Sequence, residues 1–467
     1  MVINTNIAAQ TAATNLNKST NMLNESLARL SSGSKIVSPA DDPAGAAESI
    51  SLNAQMNQTS AANANVGNAI SFLQTQDGYL QQVGSALDEM AKLSVLSQDV
   101  TKTNTERKDY QSEFSTLAGY ITHAIEDFPV DPKSIYEMVV AANSTMRDLF
   151  FRLSVYSIGQ NPYQSITELE MADGRRTTTS LAAAAGRLLL PIHPRARVYG
   201  LPVISGHVGA DAAACMLAVD LANEDRLVAV MDIGTNTELI LGNKHKILAA
   251  SCPAGPAFEG GKISCGMPGL PGAIEKVVID PDGSMRVQVI GEGEADGICG
   301  SGLIDLLSEL LRTERMNALG RFEHGAEPVM VQAGDDQPIC LTEGDVNELA
   351  QAKGANAAGL HVIYDRYGIR FDEVDVFYLA GGFGRHLNVA SAKRIGMIPD
   401  IDDAKIVQVG NASIEGACIA LLSRAKRAEL ESMVRGVTHC RLETHPDFFH
   451  YFVEGCQFNP VISLAAR

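Results

Sequence analysis

Two incompatible hydrophobic periods divide this 467-residue chain. Up to about residue 119 the apolar residues fall at steps of four and three. Leu16, Leu23, Leu27 and Leu30 form one stripe, and Val66, Ile70, Leu73, Leu80, Leu87 and Met90 form a longer one. Such steps put a narrow apolar seam on one helix face, the pattern of a coiled coil that needs a partner helix. Between the stripes, Ser31-Ser32-Gly33-Ser34 and Pro39 to Pro43 predict a stop, a loop and a restart. Asp41 or Asp42 is the expected N-cap, with Pro43 in the first helical turn. From about Gly119 the apolar runs shorten, become bounded by Gly and Pro, and alternate with helix-period stretches, as in an α/β fold. The strand candidates there include Glu137–Ala141, Leu227–Ile233, Glu238–Leu241, Arg286–Val289 and Val374–Leu379.

Composition narrows the function classes. A net charge of −18 opposes a nucleic-acid phosphate backbone and an anionic lipid surface as main partners. No run of 18 apolar residues is present, so no spanning helix is expected, and the polar stretch Met1 to Asn17 has no secretory h-region. The eight cysteines begin at Cys215 and contain no Cys-x-x-Cys pair. Zinc and iron–sulfur sites bring at least two ligands close in sequence, so buried free thiols in a reducing compartment are expected instead. Cys440 to Cys456, with His445 and His450, has spacing too irregular for a metal site.

Four glycine-bearing stretches carry the chemistry. In Leu227 to Leu241 a buried strand ends in Asp232, turns through Gly234, Thr235, Asn236 and Thr237, and starts a second strand. Such a turn offers backbone N–H groups to a phosphate, and the carboxylate can hold a hydrated Mg2+. Ala254 to Ile263, with Gly255, Glu259, Gly260 and Gly261, reads as a Gly-rich loop entering a helix. Val374 to Arg385 reads as a buried strand opening into Gly381, Gly382, Phe383 and Gly384, where a flat ligand can approach the backbone. Val409 to Ala417 is a small-residue helix suited to close helix contact. Taken singly, each is equally an ordinary tight turn, and Glu259 and Asp305 are equally surface or capping residues.

Two resemblances organise these readings. Val2-Ile3-Asn4-Thr5-Asn6, Leu30 to Ile36 and Asp41-Asp42-Pro43-Ala44-Gly45 resemble the N-terminal conserved region of bacterial flagellin over about residues 1–118. In that family these helices pair with a C-terminal helix, whereas here Asn459 to Arg467 follows a globular segment. Met90-Ala91-Lys92-Leu93 also lacks the arginine carried by flagellins that innate immune receptors detect.

The order of the four glycine motifs resembles the second half of the actin, heat-shock-chaperone and sugar-kinase superfamily. That resemblance implies a two-lobed α/β ATPase. It makes Asp232 to Thr237 the second phosphate loop and Gly381 to Gly384 the adenosine loop. Gly410 to Ala417 and Ser205 to Ala214 become the two connecting helices. Within the superfamily, Ala142 to Met146, Gly159 to Tyr163, Gly206 to Asp211, Ile263 to Met267 and Gly297 to Asp305 resemble the reductive activators of corrinoid enzymes, from about residue 120 to 460.

The resemblance implies ATP and Mg2+ as cofactors, a corrinoid protein as partner, and Asp232 and Glu259 as catalytic groups with Asp232 on the metal. It also implies an iron–sulfur module and a first phosphate hairpin upstream of Asn143, and neither has counterpart residues here. The expectations are therefore no iron–sulfur cluster in this chain, an active site lacking part of its parts, and a first lobe with an uncovered sheet edge. The expected division is 1–119 flagellin-like helices, 120–230 partial first lobe, 231–404 second lobe, and 405–467 return to the first lobe. Expected partners further include a second copy of the chain and flagellin through the N-terminal helices. The cytoplasm suits the ATPase portion and the flagellum suits the helices. A filament structural protein, and a chimeric chain with no single evolved function, remain the alternative readings.

Overall fold

The first apolar stripe forms a single helix, α1 (Ile7–Ser32). Its seam residues Leu16, Leu23 and Leu27 are exposed at 69%, 59% and 54%. Periodicity thus made the helix, while the coiled-coil pairing it predicts is not seen in these residues. The computed structural model describes residues 7–32 and 131–463, apart from 292, 326, 334–337, 383, 385 and 386. The second stripe from Val66 to Met90, and the cap at Asp41, Asp42 and Pro43, lie outside the described residues. The chain divides into two units, Met1–Asp127 and Phe128–Arg467.

The second unit is mixed α/β. It opens with β1 (Glu137–Val140), α2 (Ser144–Phe150), β2 (Leu181–Ala184), β3 (Arg197–Gly200) and α3 (Ala210–Ala218). The hairpins β4 (Val228–Asp232), β5 (Thr237–Asn243) and β6 (Lys246–Cys252) follow, then β7 (Ala273–Ile279), β8 (Met285–Val289), β9 (Gly297–Ile298) and α4 (Gly300–Arg312). After β10 (Val329–Gln332) and β11 (Ile339–Leu341) come α5 (Glu343–Tyr367), β12 (Val376–Ala380) and α6 (Val389–Ile395). The chain closes with β13 (Ile406–Gly410), α7 (Ala412–Leu422), α8 (Arg424–Val434), β14 (Val437–His439) and α9 (Phe448–Gly455).

The main sheet has six strands in the order β13-β12-β4-β5-β6-β14, antiparallel on both sides of β5 and parallel elsewhere. Side chains alternate across a strand, so each face is set by every second residue. Met231, Leu239, Leu248 and Ala250 bury against one core with α4 and α5. Val228, Val230, Ile240, Ile247 and Ala249 bury against the other, with α3, α7 and α8. Each expected strand forms, with no end moved by more than two residues. β12 begins at Val376 because Val374 ends a 3-10 turn at Phe371–Glu373.

Small residues set the helix contacts. A β-carbon on Gly416 of α7 would lie 1.9 Å from Ala214 O of α3, so the expected close packing of these two helices needs glycine there. The long α5 is fixed at its start by a capping box between Thr342 and Asp345 and ends at Gly368, whose φ is +89°. In its middle the fully buried Lys353 donates to Gly455 O and Gln457 O, tying α5 to the end of α9. A smaller sheet, β1-β3-β2, holds β1 at its edge among the described residues. Among these residues no helix is long and apolar enough to cross a membrane.

Candidate functional site

The hairpin from β4 to β5 builds the centre of the site. β4 pairs with β5 in a register that sets Asp232 directly opposite Glu238. The turn between them, Gly234 to Asn236, is half-buried to exposed, while Thr237 and Glu238 are buried. Two other motifs hold this turn in place. Ile233 N donates to Ala380 O at 3.1 Å, and Gly381 N donates to Gly410 O at 2.9 Å. Gly381 has φ +117°, and a β-carbon there would sit 2.4 Å from Ile233 O. Only glycine permits this contact between the ends of β4 and β12. The predicted phosphate turn, adenosine loop and second connecting segment are thereby brought together.

The Gly255 loop closes over the other side. Gly255 N donates to Thr235 O at 2.8 Å, and Thr235 Oγ1 donates to Glu259 Oε2 at 2.5 Å. Glu259 is therefore beside the turn. The expected helix after this loop is replaced by a single 3-10 turn, Pro256–Glu259. Pro256 starts it, but Gly260 at φ +85° and Lys262 at φ +65° reverse the chain before a second turn can form. The loop is anchored instead by Ser264, whose N–H and hydroxyl both donate to Asp345 Oδ1 in the first turn of α5.

Three carboxylates share the α3 face of the hairpin. Asp211, in the first turn of α3, accepts from Ala212 N at 2.8 Å, and Glu238 Oε1 accepts from Ser251 Oγ at 3.2 Å. Asp232 Oδ2 accepts from the Cys215 thiol at 3.1 Å. Burial raises the pKa of all three acids. Repulsion from the neighbouring carboxylates adds to it at Asp211, raised to about 6, and at Glu238, raised well above its ordinary value. Burial followed by Asp232 likewise pushes the Cys215 thiol up, so it stays protonated and serves as donor.

An all-oxygen donor set with surplus negative charge suits a hard divalent cation. No three such side chains among the described residues can cage a metal by themselves. Mg2+ accordingly fits as an ion bound through one or two carboxylates and completed by water and phosphate oxygens.

Sequence reasoning placed Asp232 and Glu259 but assigned no site role to Glu238 or Asp211. The length of the turn carried the signal for Glu238, since hairpin register follows from it. Asp211 and Cys215 come from a helix, and only packing delivers them. Asp305 takes a different place: it is buried in α4, accepting from Ser391 Oγ of α6 at 2.7 Å. Gly382 and Gly384 adjoin Gly381, with Gly384 N donating to Gly381 O at 3.1 Å, while Phe383 lies outside the described residues. The eight cysteines are free, but only Cys215, Cys252, Cys299 and Cys440 are buried; Cys418 is exposed and the other three are intermediate.

Comparison with known proteins agrees with both halves of this description. Residues 226–463 match the family described as the C-terminal domain of RACo, the ASKHA domain, and residues 71–224 match the RACo middle region. Residues 3–131 match the bacterial flagellin N-terminal helical region, so 71–131 fall within both descriptions. The corrinoid activation enzyme RamQ of Eubacterium limosum is 31% identical over 373 residues, covering 75% of this chain and 61% of RamQ. A solved structure titled reductive activator for corrinoid, iron-sulfur protein superposes with a TM-score of 0.68 at 32% identity, covering 77% of this chain and 59% of that one. Flagellin E of Vibrio cholerae is 39% identical over 117 residues, 25% of this chain and 31% of the flagellin. The chain spans between 50% and 61% of the length of the corrinoid-related proteins it matches.

Proposed function

This chain belongs to the family defined by the C-terminal ASKHA domain of RACo, and we propose that it binds ATP to serve the activation of a corrinoid protein. The observation that carries this reading is the contact of Gly381 with Ile233, which joins a glycine loop to an Asp-ended turn. Backbone N–H groups of Gly234 to Thr237 bind the phosphates, and Asp232 holds the cation. Gly255, Gly260 and Gly261 let the second loop fold over the turn, where Glu259 orients Thr235 through their hydrogen bond. Gly381, Gly382 and Gly384 form the wall for the adenosine. Bound Mg2+ supplies the positive charge that offsets the carboxylate cluster.

The corrinoid partner rests on the relatives' names. RamQ is titled a corrinoid activation enzyme, and the structural neighbour a reductive activator for a corrinoid, iron-sulfur protein. Nucleotide binding that differs between free and partner-bound states is the general means by which ATP drives such an association. Between Tyr120 and Val140 the sequence has no second Asp-Ile-Gly-Thr-like turn, and its cysteines begin only at Cys215. We read the site as impaired: weak nucleotide binding, no iron–sulfur cluster in these residues and slow turnover. Calorimetry on the full chain with Mg-ATP tests this. Weak heat that Asp232→Asn abolishes is expected; no heat would sink ATP binding, and hydrolysis at kinase-like rates would sink the impairment.

A second reading concerns α1. Its exposed Leu16, Leu23 and Leu27 favour a helical partner, either flagellin or a second copy of the chain. Co-sedimentation with flagellin filaments tests the first, and the mass of the chain in solution tests the second. Matches to two unrelated families also support a chimeric origin, which the intact mass of the protein from its source cell would decide.

A further inference from the structure

A cavity of about 350 Å3 lies along the edge strand β14, away from the Asp232 turn. β14 pairs with β6 through Val437, Thr438 and His439, and both β5 and β6 separate it from β4. Lys246 from the start of β6, Arg366 from the last turn of α5, and Arg441 from the loop after β14 line it, with Thr438, His439 and Thr444. Among the described residues no carboxylate lines this cavity, although the chain as a whole carries a net charge of −18.

Lys246, Arg366 and Arg441 are the three cations of the cavity. Among the described residues none of them forms an ion pair. Lys246 donates to Tyr367 O at 3.3 Å and lies 4.1 Å from the centre of the Tyr367 ring, while Arg366 Nη2 donates to Thr444 Oγ1 at 3.2 Å. Those partners are neutral. The nearby carboxylates are engaged elsewhere: Asp365 by His445 at 2.9 Å and Asp225 by Lys244 at 2.7 Å. The charge of the exposed Glu443 acts on His439 and Cys440 against Arg441 and Arg366 respectively. A second cavity of about 260 Å3 shares His439 and Arg441 and adds Glu168, His207 and Glu443, so the cationic cavity continues into a polar, mixed-charge one.

We propose that the β14 cavity is a binding site for a phosphate-type oxyanion carried by a small polar molecule. Lys246, Arg366 and Arg441 neutralise the oxyanion, and the hydroxyl of Thr438 hydrogen-bonds a remaining oxygen, while Thr444, which donates to Arg441 O at 2.8 Å, positions Arg366. The rest of the molecule extends toward His207 and Glu168. The site is separate from the nucleotide turn, and the proposal does not depend on that turn binding ATP.

The test uses the full chain in EDTA, where the carboxylates of the Asp232 turn repel free phosphate. Titration with inorganic phosphate and pyrophosphate by 31P NMR should give one saturable site, weakened by salt. Arg366→Glu and Arg441→Glu should each weaken it at least tenfold, and reversal of an exposed cation elsewhere, Arg286→Glu on β8, should leave it unchanged. On the wild-type chain, phosphate should protect Lys246 from acylation by an N-hydroxysuccinimide ester, which keeps the idea testable if a charge reversal fails to fold. Absence of binding, wild-type affinity in both reversals, equal loss in Arg286→Glu, or an unprotected Lys246 would each overturn the proposal.

Discussion

A β-carbon on Gly381 would lie 2.4 Å from Ile233 O, so the end of β12 touches the turn after β4 as closely as backbone permits. Gly381→Ala meets this contact with a φ of +117° that L side chains rarely adopt. Roughly 3 kcal/mol of stability should be lost. Gly382→Ala should cost little stability, because a β-carbon there meets nothing within 4 Å. Urea unfolding of the two variants checks the contrast, and equal midpoints would contradict it.

Asp232→Asn should separate binding from stability. The substitution removes one of three crowded carboxylates, the one whose charge helps raise the pKa of the other two. In EDTA the variant should be more stable than the parent by about 1 kcal/mol, since like-charge repulsion is relieved. Mg-ATP affinity should fall at least tenfold. A variant that is both less stable and unaltered in nucleotide binding would remove Asp232 from the site.

The same cluster sets a pH dependence. Asp211 is raised from an ordinary 3.8 to about 6, by burial first and by Asp232 second. The folded state thus favours the protonated form. Its contribution is fully present below about pH 4 and is lost as pH rises through about 6. Mg2+ opposes that loss by compensating the charged form. The rise in unfolding temperature on adding Mg2+ should therefore be larger at pH 7 than at pH 5. Scanning fluorimetry with and without Mg2+ reads this difference directly, and a pH-independent shift would refute it.

Asn356 gives a prediction away from the site. It is fully buried in α5, and among the described residues neither its amide nitrogen nor its oxygen has a hydrogen-bond partner. Leucine is close in volume and brings no polar group to leave unsatisfied. Asn356→Leu should stabilise the fold by about 1–2 kcal/mol, whereas Asn356→Asp should destabilise it. Denaturant midpoints measure both, and a destabilised leucine variant would show that the amide is needed.

Much of the site is legible in the order of residues alone. The Asp232 turn, the Gly381 loop and Glu259 are local signals, because turns and strand ends need particular residues at fixed offsets. Glu238 was within reach too, since the hairpin register follows from the length of the turn. The Ala254 to Ile263 loop misled. Its glycines suggested a helix entry, yet Gly260 and Lys262 at positive φ turn the chain back. Nothing local distinguishes those two outcomes, because glycine suits both.

Sequence alone marked the helix of the first stripe and the strands that end at the Asp232 and Gly381 turns, since periods of 3.6 and 2 are properties of neighbouring residues. It also settled that two unlike pieces share the chain, one carried by a seam and one by glycine-bounded strands. Tertiary structure decided which charges meet. Asp211 and Cys215 reach Asp232 only because Gly416 lets α7 press against α3 and α3 lies on the sheet. Lys246, Arg366 and Arg441 come from two strands' ends and a helix, far apart in sequence, and share one cavity only after the sheet and α5 are packed. Electrostatic energy depends on distance and burial, and the order of residues along a chain specifies neither until the fold is made.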